Sequence, residues 1–261
     1  MDNDDIPKGR IFTRREALTL FGGAGLAFLT AAGCGGGSAG GSVPTAAPTT
    51  GAITTPTTAA TAVSNLTCIA RPELTEGPYF VDEKLLRADI RADTDTGTVQ
   101  DGVPLSLTFN VSQLSGSACS FLPGAMVDVW HANALGKYSD IASEGTSGLN
   151  FLRGYQLTSS SGVAKFTTIF PGWYQGRAVH IHFMVRATIA GAAHEFTSQL
   201  FFSDALTTSI FAASPYNTRG MRSTFNSGDG IYSQSGGQTL MTLAGSNSAG
   251  YTGTFNLALD V

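Results

Sequence analysis

The chain has 261 residues, 42% hydrophobic and 13% charged, with a net charge of −4 and 32 glycines. Mild acidity leaves no electrostatic footprint for nucleic acid, and no apolar run reaches the roughly eighteen residues that a confident membrane span needs. Low charge with abundant Gly, Ser and Thr suits an exported all-β protein better than a helical cytosolic one.

Thr13-Arg14-Arg15-Glu16-Ala17-Leu18 reads as a twin-arginine export motif, and the apolar, Gly- and Ala-rich stretch from Leu18 to Ala32 follows it. Ala31-Ala32-Gly33-Cys34 is similar to a bacterial lipobox, in which Cys34 would be lipidated after cleavage. Ala31 stands where leucine is usual, so ordinary signal cleavage remains the alternative. Residues 1–34 are expected to be a signal peptide. Residues 35–65 are Gly, Ser, Thr, Ala and Pro with almost no charge, a flexible tether that cannot bury a core. Such a protein works in the periplasm or at the cell surface and meets the membrane only through that anchor. The folded unit is expected over residues 66–261, enough chain for one β domain with a sizeable core.

Within that unit, Leu105, Leu107, Phe109 and Val111 alternate with Ser106, Thr108 and Asn110, the period of a strand packed on one face. Residues 125–130 alternate again and lead into a loop at 132–138. Strands over 154–157 and 163–170 flank Ser159-Ser160-Ser161-Gly162, a hairpin signal. Pro171-Gly172 opens a turn. After it, Val179, Ile181, Phe183 and Val185 alternate with His180, His182, Met184 and Arg186. Both imidazoles then share one face, roughly 6.6–7 Å apart at the backbone, and can converge on one metal ion. Taken alone, the same pattern is equally the polar face of a half-exposed strand. Residues 196–202 form a further strand with Thr197, Gln199 and Phe201 on one face. A short helix is expected over 204–213, with Asp204 as N-cap and Pro215 beyond its end. Strands at 240–243 and 251–259 close the chain. Many short strands, Gly-rich turns and almost no helix predict an all-β fold, an antiparallel β-sandwich with long loops and little helix.

The chain has three cysteines. If Cys34 carries the lipid, Cys68 and Cys119 remain as a pair in an oxidising compartment, and a disulfide between them is expected.

Four blocks carry a resemblance: Thr75-Glu76-Gly77-Pro78-Tyr79-Phe80, then Asp128-Val129-Trp130-His131-Ala132-Asn133-Ala134-Leu135-Gly136-Lys137-Tyr138, then Pro171 to Phe183, then Ser198-Gln199-Leu200-Phe201-Phe202. The specific part is a tyrosine eight residues after Trp130, joined with Tyr-x-x-Arg-x-x-His-x-His from Tyr174 to His182. Over the whole expected folded unit the chain resembles the intradiol ring-cleavage dioxygenases, in their exported twin-arginine group. The resemblance implies a non-haem Fe(III) cofactor held by Tyr138, Tyr174, His180 and His182. The chemistry suits it: phenolate is an anionic oxygen donor for a hard, highly charged ion, and metal charge pulls the tyrosine pKa far below its usual value near 10. Neutral imidazoles complete the set, each needing an acceptor for its other ring nitrogen.

The resemblance also implies that Arg177 faces bound substrate and that Gln199 joins it in hydrogen-bonding charge that develops on the ring. It implies that Tyr174 is the tyrosinate displaced by substrate and takes up a substrate proton, and that Tyr79 lines the substrate approach. The implied partners are a catechol-type aromatic and O2, and the implied products are cis,cis-muconates. Trp130 and Trp173 read as packing residues beside the ligands. His131, His194 and Arg153 match no ligand position and read as structural or exposed. Two departures bear on the resemblance. Only five residues separate Tyr174 from His180, where cytosolic protocatechuate enzymes carry a longer segment, so substrate choice stays open. No stretch of the sequence reads as the helical N-terminal dimerisation domain of catechol 1,2-dioxygenases, so oligomeric state stays open. One rival reading is a non-catalytic exported β-sandwich binding lipoprotein. The other is a zinc or copper site on the same His-x-His strand, which two phenolates disfavour.

Overall fold

The structure, a computed structural model, describes residues 68–261. The twin-arginine motif, Cys34 and the tether expected over residues 35–65 lie outside the described residues. The strands in chain order are β1 (Pro104–Ser115), β2 (Ala118–Phe121), β3 (Met126–Trp130), β4 (Arg153–Leu157), β5 (Val163–Ile169), β6 (His180–Ile189), β7 (Ala192–Phe202), β8 (Leu240–Met241), β9 (Leu243–Ser246) and β10 (Gly250–Asp260). Two short α-helices, α1 (Asp204–Phe211) and α2 (Gly230–Gln234), lie between β7 and β8.

Two sheets form an all-β sandwich. One has the order β2-β1-β10-β9, with β5 also on β1; the other is β4-β3-β6-β7-β8. Because β10 runs along β1 from Leu105 to Leu114, β5 and β2 must share the opposite edge of β1, at residues 104–110 and 112–115. Most pairings are antiparallel as expected, but β1–β10 and β7–β8 are parallel. A parallel partner needs a long connection, and for β1 and β10 that connection is nearly the whole sandwich.

Period two decides which side chains fill the core. Leu105, Leu107, Phe109 and Val111 of β1 are buried against Val127 and Val129 of β3 and Ile181, Phe183 and Val185 of β6. Phe183 lies 5.2 Å from Phe109 and 5.4 Å from Phe255, ring centre to ring centre. Burying each such ring contributes roughly 1.5–3 kcal/mol. The same alternation turns Trp130, His180, His182 and Gln199 to the other face of the second sheet. There, Trp130 pairs with His182 and His182 with Gln199 in one row across β3, β6 and β7.

The structure departs from expectation at three places. The turn at Ser159–Gly162 exists, closed by Ser159 N–H donating to the Val163 carbonyl at 2.9 Å. It is not a hairpin, however, because β4 pairs with β3 in one sheet and β5 with β1 in the other. Both ends of the turn are held by other strands: Thr158 N–H donates to Ala125 O at 2.8 Å, and Val111 N–H to Gly162 O at 2.7 Å. The helix begins at Asp204 but is capped by Ser203, whose side chain accepts from Leu206 N–H; Asp204 instead pairs with Arg222 at 3.2 Å, and the helix stops at Phe211. The single strand expected at 240–243 is two, one in each sheet.

Cys68 and Cys119 are joined by a disulfide, with Cα atoms 6.0 Å apart and 51 residues of sequence separation. It ties the segment entering the site to β2. Closing such a loop contributes roughly 4 kcal/mol in the chain-entropy model. The Cys68→Ala, Cys119→Ala variant should lose about that much by urea unfolding. Free thiols at both positions in protein kept from reductants would contradict the bond.

Candidate active site

Four donor atoms meet on the outer face of the second sheet. His180 Nε2 lies 2.9 Å from His182 Nε2, 3.3 Å from Tyr174 Oη and 3.5 Å from Tyr138 Oη. His180 Nδ1 is 2.7 Å from the Ala178 carbonyl, which can only accept, so the proton sits on Nδ1 and Nε2 presents its lone pair to the cluster. Both imidazoles are buried, at 3% and 1% exposure, which excludes the half-exposed strand face.

Each phenol is placed by its loop. Asn133 accepts the N–H groups of Leu135 and Lys137 with its side-chain oxygen and so shapes the turn before Tyr138. Gly136 sits at φ 74°, and a Cβ there would stand 2.0 Å from the Trp173 carbonyl oxygen, so the Tyr138 and Tyr174 loops can interlock only with glycine. Tyr138 N–H donates to Glu144 Oε2 at 2.6 Å, and Thr146 Oγ1 donates to the Tyr138 carbonyl at 2.6 Å. Arg153 grips the next residue, donating to Ser139 Oγ and Ser139 O. Tyr138 is thus fully buried, whereas Tyr174 is half-buried. Tyr79 stacks on Tyr138 at 4.6 Å and meets Tyr174 edge-on at 5.8 Å.

The His182 ring is held by packing. Trp130 lies parallel to it at 5.0 Å, and Gly77 presses on its Cε1 edge, where a Cβ would stand 3.0 Å from His182 Cε1. The acceptor expected for its second nitrogen is not found: the buried His182 Nδ1 has no hydrogen-bond partner among the described residues. Trp173 is a packing residue with the Arg219 guanidinium 4.9 Å over its ring, and His194 lies half-buried in β7, away from the cluster.

Arg177 is buried rather than a surface ion pair. Its Nε donates to Asp229 Oδ2 at 2.9 Å, its Nη2 to Gln199 Oε1 at 2.6 Å, and Gln199 Nε2 in turn to Thr75 O at 2.8 Å. Asp229 is a site residue that the sequence pattern did not single out. The available signal was local: Asp-Gly-Ile-Tyr is a helix start, and Asp229 caps α2 through Ile231 and Tyr232.

Charge in the site follows burial. Burial holds both imidazoles well below their usual range, with Arg177 adding to the effect on His180, and His180 and Arg177 to that on His182. Burial, then the neighbouring Tyr174, raises the Tyr138 phenol well above its usual value. Burial opposes the Arg177 charge, but Tyr174 and Asp229 outweigh it and keep the guanidinium charged.

His131 is structural and buried, donating from Nδ1 to Ala132 O and accepting at Nε2 from Thr168 Oγ1. Burial lowers its pKa from 6.5 to about 4. A base depressed in the fold favours its neutral form, so its contribution is complete above pH 6.5 and is lost as pH falls toward 4. The loss is on the order of 3 kcal/mol. Urea unfolding between pH 7 and 4.5 should be flatter for His131→Gln than for wild type by most of that amount. An unchanged slope would contradict the assignment.

The chain is similar to known proteins. A family model described as Dioxygenase matches residues 75–227, a span that contains the four clustered residues, Arg177 and Gln199. The chain is similar to the solved structure of an intradiol ring-cleavage dioxygenase from Tetranychus urticae, at 31% identity and a TM-score of 0.64, covering 74% of this chain and 95% of that one. It is also similar to the dioxygenase domain of a dioxygenase carbohydrate-binding protein fusion from Streptomyces sp. SirexAA-E, at 28% identity and a TM-score of 0.53, covering 74% and 99%. Catechol 1,2-dioxygenase 1 of Acinetobacter lwoffii is 28% identical over 142 residues, which span 46% of this chain and only 43% of that relative.

Proposed function

The chain belongs to the intradiol ring-cleavage dioxygenase family, and we propose that it cleaves catechol-type rings between the two hydroxylated carbons with O2. The products are cis,cis-muconate-type acids, and the cofactor is non-haem Fe(III) held by Tyr138, Tyr174, His180 and His182. The observation that carries this reading is the meeting of two phenol oxygens and His182 Nε2 within 3.5 Å of His180 Nε2.

The residues fit the ion. Imidazoles kept neutral by burial offer lone pairs without first losing a proton. A buried phenol whose pKa is raised in the protein alone needs a strong cation beside it to ionise, and a hard trivalent ion supplies that. When bound, the ion supplies Lewis acidity and a template for both substrates.

The chain's own residues divide the remaining work. Tyr138, locked by Glu144 and Thr146, stays in place. Tyr174, the more exposed phenol on the adjoining loop, is the group whose Oη takes a catechol proton as substrate enters. Tyr79, stacked beside both, forms an aromatic wall for the incoming ring. Arg177 and Gln199, bonded to each other, present fixed donors to charge that develops on the ring. A binding protein with no chemistry predicts that these positions are lost, yet all are present and convergent. The direct test is iron-loaded protein with catechol and O2. One O2 consumed per ring with formation of a muconate supports the reading, and no oxygen uptake with any catechol contradicts it.

We further propose export by the twin-arginine route and tethering through Cys34, on the motif at residues 13–18 and the nearly uncharged stretch at 35–65. Cys34→Ala should release soluble protein with unchanged turnover. A wild-type protein already soluble and beginning at another residue would contradict the anchor.

A further inference from the structure

Asp229 is 2% exposed and lies two residues beyond the matched family segment. Its carboxylate divides between two tasks. Oδ1 accepts from Ile231 N–H at 2.8 Å and Tyr232 N–H at 2.9 Å, which alone caps α2. Oδ2 is not needed for the cap. It accepts from Arg177 Nε at 2.9 Å and from Ala178 N–H at 2.7 Å. Ala178 is also the residue whose carbonyl fixes the His180 ring through Nδ1. One oxygen therefore touches the group proposed to face substrate and the residue whose carbonyl orients a proposed iron ligand. The helix it caps is braced against the same region: Ile231 packs with Leu74, Ala178 and Phe201, and Phe201 lies 5.8 Å from the His180 ring.

We propose that Asp229 is a positioning residue: by anchoring Arg177 Nε and Ala178 N–H to the start of α2, it holds the guanidinium and the His180 ring in their working orientations. The proposal rests on the reading of the site given above. A guanidinium with free Nε would still carry its charge but would sample several orientations, and a donor that must be oriented during the reaction stabilises less than one already in place. Gln199 alone holds one end of the group, so the Asp229 contact is what fixes its second axis.

Asp229→Asn tests this, because its side-chain oxygen can keep capping α2 while its amide turns a donor toward Arg177 and Ala178. In iron-free protein, the Arg177 Nε–H signal in 15N-detected NMR should lose protection from solvent exchange by at least ~10-fold, with the fold intact by circular dichroism. In iron-loaded protein, kcat should fall roughly 10- to 100-fold with KM for catechol changed less than about threefold, the scale for outer-shell partners. Adding Arg177→Ser to Asp229→Asn should slow turnover by less than the product of the two single losses, because part of the Asp229 effect runs through Arg177. Asp93→Asn is the stability control. Asp93 is another buried aspartate, bonded to Asn150 and Thr96 rather than to the site, and its loss should lower the Tm while leaving kcat unchanged. Wild-type exchange protection at Arg177, a wild-type kcat in Asp229→Asn, or fully additive losses in the double variant would overturn the proposal. If wild-type protein turned over no catechol at all, the activity reading would fall, while the exchange measurement would still decide whether Asp229 holds Arg177.

Discussion

Replacing His182 with Ala should leave a folded protein that binds ferric iron at least ~100-fold more weakly than wild type. Losing an outer-shell partner costs roughly 10- to 100-fold in affinity, and losing a ligand atom itself costs more. The fold should survive because His182 lies on the outer face of β6, while Ile181 and Phe183 on the inner face keep the strand in the core. The space beside Trp130 and Gly77 would be left partly filled, a packing loss confined to one side of the sheet. Chelator competition reads the affinity directly. A variant that binds iron as wild type does would remove His182 from the ligand set.

Arg177→Ser should do the opposite: keep the iron and lose the chemistry. The guanidinium stays charged at any working pH. Charge on the ring is larger when O2 attacks than when catechol first binds, so the missing donor should slow oxygen attack more than it weakens binding. For one preorganised donor the expected loss of turnover is roughly 100- to 1000-fold, about 2.7–4 kcal/mol. The structure adds a cost outside the chemistry: the substitution strands the buried Asp229 carboxylate, which burial penalises and Arg177 offsets. Breaking such a pair destabilises by roughly 3–5 kcal/mol. Arg177→Lys separates the two effects, since an ammonium still balances Asp229 but cannot also reach Gln199 with the same planar geometry. It should recover most of the lost stability and only part of the lost rate. Single-turnover decay of the enzyme–catecholate complex with O2 reads the step. Wild-type decay in Arg177→Ser, or loss of iron from it, would show that the role belongs elsewhere.

How much of this is legible in the sequence depends on how local each signal is. The alternation of β6 is local, and residues 179–186 by themselves set both the core face and the pairing of the two imidazoles. The spacing from Trp130 to Tyr138 and from Tyr174 to His182 carries the candidate donors, and the structure brings those residues together. Partner choice between strands is not local. The turn at Ser159–Gly162 has hairpin chemistry, yet its flanking strands leave for different sheets, β4 pairing with β3 and β5 with β1. Nothing in residues 104–115 announces a parallel partner at 250–260. The same limit hides Asp229, which meets Arg177 across 52 residues of sequence. Its cap signal is readable; its second partner is not. The Ser203 cap is lost to a simpler competition, since both Ser203 and Asp204 are good caps and the register of one turn decides between them.

In the function proposed above, two tyrosines and two histidines bind Fe(III), with the phenols as phenolates. The visible absorption spectrum of the purified protein, read beside its iron content, tests it most directly. Stoichiometric iron should come with a burgundy to red phenolate-to-iron absorption that shifts when catechol is added. A protein carrying one iron per chain and no visible absorption would contradict the account.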